Sequence, residues 1–295
     1  MKRVIFDCDN TFGISGCDVD DGLALLYLLG QKDKVHIEAI ATTYGNNNVD
    51  TVYTNTKRML AELGLEHLPV YKGCPAKDVT HSEAADYIVQ AVQNAKDDIY
   101  VLATGSLTNI YQAYCIDNTL FQKISGIVLM GGLTEPLVIN NVNMNELNFS
   151  CDPEASYVLL SKAKNVSVIT GNNCIPAFFS YDEYRSRLNN SQKAIGKYIY
   201  KKTRYWFEYM MDNYGVNGFY NWDVVAAAYI AEENLFVDNS CEINPTNDSL
   251  KKGYLYSSEK EYININLPKI KDIREFTENI YKSWLSVNLF CQHLE

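Results

Sequence analysis

No run of about 20 uncharged apolar residues occurs in this 295-residue chain, so no segment reads as a membrane-spanning helix. No apolar leader opens it either: MKRVIFDCDN meets an acid after the three-residue run VIF, and no secretion signal is expected. The eight cysteines show no C-x-x-C spacing and, without a leader, are expected as free thiols of a cytoplasmic protein. Basic charge is in deficit, with 26 Lys and Arg against 36 Asp and Glu for a formal net charge of −10. A nucleic-acid binder needs a basic face to displace counterions from phosphates, so neither nucleic acid nor membrane is expected as a partner. Linkers, low-complexity stretches and internal repeats are also missing, and residues 1–295 read as a single domain. Disorder is excluded by the 47% of hydrophobic residues. A chain of this length buries roughly 75% of its unfolded surface and needs no disulfide staples.

The acids are concentrated. Residues 4–31 contain Asp7, Asp9, Asp18, Asp20 and Asp21 and no Lys or Arg. So many carboxylates in a short span repel one another unless a cation or a shared proton joins them. Asp7 and Asp9 stand two apart on a predicted strand, which points both to one face. Zinc would ask for His or Cys, and His36, His67, His81 and His293 all lie elsewhere. Carboxylates and carbonyls suit a hard cation, Ca²⁺ or Mg²⁺.

Apolar patterning predicts strands at 3–9, 35–44, 68–73, 98–105, 127–132 and 166–170. Helices are predicted between them at 20–30, 49–64, 83–95, 107–115 and 152–163, the last capped by Asp152 with Pro153 at its first position. A long helical region follows at 192–214, then a helix from Trp222 to Glu232, a hairpin within 253–267 and a final helix near 271–288. This alternation predicts an α/β, doubly wound, mostly parallel sheet with a helical addition and a C-terminal hairpin. Ligands of such sheets sit beyond the carboxyl ends of the strands. Polar residues at those ends are Asp7 and Asp9, Thr42 to Asn46, Thr104, and the segment after Met130.

Two resemblances compete for the N-terminus. VIFDCDNTF resembles the opening motif of haloacid-dehalogenase-type phosphatases, which implies Asp7 as a phosphoryl nucleophile and Asp9 as acid/base. No downstream G-D-x-x-x-D-like pattern accompanies it. The second resemblance runs through most of the chain. Asp7-Cys8-Asp9, an insertion, then Asp20-Asp21 ahead of GLALLYLL is similar to the D-x-D-x-x-x-D-D signature of the inosine–uridine type nucleoside hydrolases. ATTYGN (41–46), ATGSLTNI (103–110), IVLMGG (127–132), NELNFSCDPEAS (145–156) and NWDVVAAAYI (221–230) follow in the family's order.

This second resemblance implies a Ca²⁺-dependent hydrolase that splits ribonucleosides into base and ribose for nucleoside salvage, working as a homodimer or homotetramer. It implies Asp9 as general base and metal bridge, with Asp21, Asp223 and the carbonyl of Thr104 completing the metal ligands. Asp20, Asn46, Glu146 and Asn148 are implied at the ribose hydroxyls, with Asn140 (or Asn141) and Met130 lining the sugar. The residue types suit the chemistry, because an oxocarbenium-like ribosyl state gathers positive charge that carboxylates and amide oxygens stabilise.

The chain departs from the family pattern twice. Ten residues, Asn10 to Val19, separate the second and third aspartates where the family has three, and Asp18 lies among them. Relatives often have His before the late metal aspartate to protonate the leaving base; here it is Trp222, a candidate stacking residue. His81 is the one histidine near a predicted substrate loop. A non-catalytic nucleoside- or ribose-binding protein remains the alternative from another class, since the longer loop would be able to displace Asp9.

Overall fold

The computed structural model describes residues 1–289. In chain order it runs β1 (Lys2–Cys8), α1 (Asp20–Gly30), β2 (Val35–Thr42), α2 (Val49–Glu62), β3 (Val70–Lys72), α3 (Glu83–Gln93), β4 (Ile99–Ala103), α4 (Thr108–Ile116) and β5 (Gly126–Met130). Then come α5 (Pro153–Lys162), β6 (Val166–Ile169), α6 (Ala194–Tyr214), α7 (Trp222–Ala231), β7 (Ser240–Ile243), β8 (Ile263–Asn266) and α8 (Ile273–Ser286). Shorter elements fill the connections.

The eight strands form one sheet in the order β7-β8-β6-β5-β4-β1-β2-β3, parallel except where β7 meets β8. Parallel strands need helical crossovers, which cover both faces, so the strand sequences are apolar without alternation. In β1, Val4, Ile5 and Phe6 are all fully buried. One buried layer joins α1, α6, α7 and α8 to the sheet; the other is built from α3, α4 and α5.

Strand order reverses direction at β1, since β2 and β3 extend to one side while β4, β5 and β6 extend to the other. Two chain segments leaving adjacent strands toward opposite faces open a crevice at their carboxyl ends. Here that crevice lies past Cys8 and Ala103, beside Asp9 and Thr104.

Local chemistry sets the element ends. Asp152 accepts from the amide of Ala155 at 3.1 Å ahead of Pro153, as its sequence pattern predicts. Ser82 and Asn48 cap α3 and α2 in the same manner. α1 is buried from Asp20 through Leu28, which explains its lack of a polar face. It is held between α7 and α8, where the Trp284 indole donates to the Leu23 carbonyl at 2.9 Å.

The antiparallel pair near the C-terminus differs from the expected one. Only Ile263–Asn266 of the 253–267 span is a strand, and its partner is the upstream β7. Within the 253–262 segment, Tyr254 instead forms an isolated parallel bridge with Leu133, just past the end of β5. A small hairpin, Val138–Ile139 with Val142–Asn143, falls between β5 and α5, where no element is predicted from the sequence. Asn140 and Asn141 form its turn at φ of 47° and 65°, the left-handed pair that a two-residue hairpin needs. Among the described residues no helix is long and apolar enough to cross a membrane, and the seven cysteines there are free. Cys291 and His293 lie outside the described residues.

Trp284 is fully buried against Phe179, Tyr184 and Tyr281. Trp284→Ala is expected to cost about 3–5 kcal/mol, seen in urea titration as a lower midpoint at unchanged slope.

Candidate active site

Three buried carboxylates converge at the switch point. Asp20 and Asp21 occupy the first turn of α1, where the helix dipole favours negative charge, and Asp223 occupies the first turn of α7. One oxygen from each lies within 4.8 Å of the other two. The Asp223 amide donates to Asp20 Oδ2 at 3.4 Å, and Thr104 Oγ1 donates to Asp21 Oδ1 at 2.7 Å.

Asp9 lies one residue past β1 and is fully buried. The amide of Asn46 donates to its Oδ2, and Asn46 Nδ2 sits 3.4 Å from both Asp9 Oδ1 and Asp21 Oδ2. Gly45 and Gly105 make that burial possible. A Cβ on Gly45 would stand 2.1 Å from Asp9 Oδ2, and one on Gly105 would stand 3.1 Å from the Asp9 amide.

Burial dominates the electrostatics. It raises Asp9 to about 6, against the lowering effect of the Asn46 amide. Burial first, then neighbouring carboxylates, push Asp21 and Asp223 well above the carboxylate range. Burial and Asp20 do the same to Asp18. Together these groups favour either protonation or a cation that restores their charge.

Asp7 belongs elsewhere. Strand parity fails because β1 ends at Cys8, so Asp9 turns toward α1 and Asn46 while Asp7 bonds into the α4 layer. Asn109 Nδ2 donates to Asp7 Oδ2 at 2.8 Å, Oδ1 has no partner among the described residues, and burial lifts the group to about 8. A carboxyl in that position does not line the cavity, which removes the geometric basis for a phosphoryl nucleophile there.

The crevice opens into a cavity of about 180 Å³, lined by both polar and apolar side chains. Asp20, Asn46, Thr104 and Asp223 line it. Met130, Glu146, Asn148 and Trp222 line it as well. Asp9 and Asp21 do not line it and stand beneath, beside Asn46 and Thr104. Glu146 is fixed by the amides of Gly132, Phe149 and Ser150, and Asn148 Nδ2 donates to the Met130 carbonyl at 2.9 Å. Trp222 stacks on Tyr220 with centroids 5.1 Å apart.

Two sequence candidates stand outside. His81 is exposed ahead of α3, and its Nε2 lies 3.4 Å from Asp86 Oδ2. Its place after β3 suggested a substrate loop, but the ring stands in solvent beside Asp86 and does not line the cavity. Asn140 sits at the exposed hairpin turn, its Nδ2 donating to the carbonyls of Tyr214 and Gly215 at 2.9 and 3.2 Å. The unpaired carbonyls ending α6 take up its amide, so Asn145 rather than Asn140 lines the cavity. Asp18, read from sequence as an insertion residue, lines the cavity too. Its neighbour Asp20 was the available signal, since two residues on either side of a helix start reach the same crevice.

Comparison with known proteins supplies the family. The model described as "Inosine-uridine preferring nucleoside hydrolase" matches residues 4–278. Uridine nucleosidase 1 of Arabidopsis thaliana is 24% identical over 247 residues, covering 74% of this chain and 72% of that protein. A plant nucleoside hydrolase superimposes with a TM-score of 0.82 at 21% identity, over 96% of this chain and 99% of the other. A purine-preferring ribonucleoside hydrolase from Gardnerella vaginalis gives a TM-score of 0.80 at 22% identity, over 97% and 99%. With nearly the whole chain inside one family model, this protein belongs to the inosine-uridine preferring nucleoside hydrolase family.

Proposed function

We propose that the protein hydrolyses the N-glycosidic bond of ribonucleosides, releasing free base and ribose, with Asp9 as general base and Ca²⁺ as its metal. The convergence of Asp20, Asp21 and Asp223 at the mouth of the switch point carries this reading. The donor set fits a hard cation: the three are buried carboxylates, and no Lys or Arg lines the adjoining cavity. Asp9, Asp21, Asp223 and the carbonyl of Thr104 would hold the ion. When bound, it supplies positive charge that gathers the ribose diol and acidifies water.

The chain's own residues do the rest. Asp9, oriented by the Asn46 amide, takes a proton from the attacking water. Asp20, Asn46, Glu146 and Asn148 accept from or donate to the ribose hydroxyls, with Met130 against the sugar. As the bond to the base lengthens, positive charge grows on the ribosyl ring. Fixed carboxylates in a water-poor cleft stabilise that charge without reorganising. Trp222 stacks on the departing base in place of a histidine acid. The base takes a proton from solvent to leave neutral, Asp9 returns the water's proton to solvent, and the ribose keeps the hydroxyl. These products suit a salvage role in the cytoplasm, in keeping with free thiols and a net acidic charge. Family resemblance supports a homodimer or homotetramer.

Asp9→Ala is expected to lower kcat about 10²–10⁴-fold, measured as reducing sugar released from inosine and uridine; a fully active variant would assign the base elsewhere. Because burial raises Asp9 to about 6 and only its ionised form accepts a proton, activity falls as pH drops through the apparent pKa. Cation binding favours the ionised form, so the acid limb of kcat/KM is expected at or below about 6. Chelation should abolish turnover and Ca²⁺ restore it. Asp223→Ala should raise the Ca²⁺ concentration needed for half-activity by about tenfold or more; calcium titration followed by base release checks both.

A further inference from the structure

Trp222 lines the cavity, and the backbone around it is held on both sides. The Asn221 amide donates to the Ala177 carbonyl at 3.1 Å, and Cys174 Sγ donates to the Trp222 carbonyl at 3.6 Å. The indole is held differently. Its outer torsion joins sp³ to sp² carbon and has broad wells, so the ring plane is set by what packs against it. Among the described residues no hydrogen bond reaches the indole, and Tyr220 is the one aromatic ring against it, stacked at 5.1 Å with 29° between the planes.

Tyr220 is itself braced. It ends the short strand Gly218–Tyr220, which pairs antiparallel with Phe178–Ser180 and sets Tyr220 opposite Phe178. The two rings meet at 5.1 Å, tilted by 56°. Gly218 shares a strand face with Tyr220, and a Cβ there would stand 2.2 Å from Phe178 Cζ, so glycine leaves the room that the Phe178 ring takes. Phe219, on the opposite face, is fully buried against Tyr184 and Phe207 and anchors the strand in the core. Phe178, Tyr220 and Trp222 thus form a chain of rings from the surface to the cavity wall, and only Trp222 lines the cavity.

The next step rests on the stacking of the base on Trp222. With one indole face taken by Tyr220, a stacked base occupies the other, and its plane follows that of the indole. A ring already fixed by a neighbour also gives up little freedom when the base arrives. We propose that Tyr220 is a positioning residue: its ring fixes the plane of the Trp222 indole, and through it the plane in which the base is held for cleavage.

The test compares a ligand that carries a base with one that does not. Dissociation constants for ribose and for the C-nucleoside formycin B, whose carbon–carbon glycosidic bond resists hydrolysis, are measured by calorimetry with Ca²⁺ present, beside kcat/KM for inosine. Tyr220→Leu is expected to weaken formycin B and to lower kcat/KM about 3–10-fold each, with ribose within about twofold of wild type. Tyr220→Phe keeps the ring and should stay within about twofold of wild type throughout. In a Trp222→Leu background the Tyr220→Leu change should shrink to within about twofold. A merely structural role weakens ribose and formycin B together and persists in the Trp222→Leu background. Either result overturns the proposal, as do equal losses in the two Tyr220 variants or a wild type that binds formycin B no more tightly than ribose. If Tyr220→Leu does not fold, Phe178→Leu, at an exposed position, decides by the same ratio: a selective loss of formycin B supports the proposal and an unchanged ratio overturns it. Absence of base release from every nucleoside would sink the hydrolase function, and the binding ratio would still decide this assignment. Base release with an unmoved ratio sinks this assignment alone.

Discussion

Everything at this site follows from carrying several carboxylates out of water without a basic side chain to meet them. Each buried ion costs several kcal/mol unless something replaces its hydration. A salt bridge would cancel that cost and also the function, since an arginine in the crevice would occupy the place of a cation or of a positively charged sugar. The fold instead uses weak, neutral donors: the amides of Asn46 and Asp223, and the hydroxyl of Thr104. Such donors fix the oxygens in space and leave the net negative charge standing, which is the state a divalent cation completes.

Backbone geometry makes this arrangement possible. The helix dipoles of α1 and α7 both end at the cluster, and their positive ends reduce the repulsion among Asp20, Asp21 and Asp223. Gly45 lets its loop close over Asp9 at a distance that no side chain would permit, and Gly105 lets its loop pack on Thr43 beside it. The topological reversal beside β1 then leaves an opening above the acids rather than a packed core. Sequence chemistry, helix direction and strand order thus act on the same few cubic ångströms.

Much of this was legible in the chain itself. Apolar runs bounded by caps located the main helices and parallel strands, because burial on both sheet faces leaves a plain signature at each of them. Asp152 with Pro153 marks the start of α5 in sequence and in space alike. β7 escaped notice because SCEI is short, half-exposed and separated from its partner by a long connection. The ordered motifs led to Asp9, Asp20, Asp21, Thr104, Glu146, Asn148 and Asp223, all at the crevice or just beneath it. Asn140 and His81 were misplaced for a shared reason: position along the chain reports which loop a residue occupies, and not which way its side chain turns. The Asn140 amide is claimed by the end of α6, and His81 by a neighbouring acid. Asp18 shows the converse, a residue of the long β1–α1 loop whose position emerges only from the path of that loop.

The Trp284–Leu23 contact joins two helices separated by almost the whole chain. α1 contributes two acids to the centre, yet its back is covered by α7 and α8, which are drawn from the last third of the sequence. During synthesis the acidic half of the centre therefore leaves the ribosome long before the helices that bury it. Until those helices arrive, the aspartates remain in water with ordinary acidities and no enforced spacing. The buried acid cluster is consequently assembled late, once α7 and α8 have been made and can cover α1.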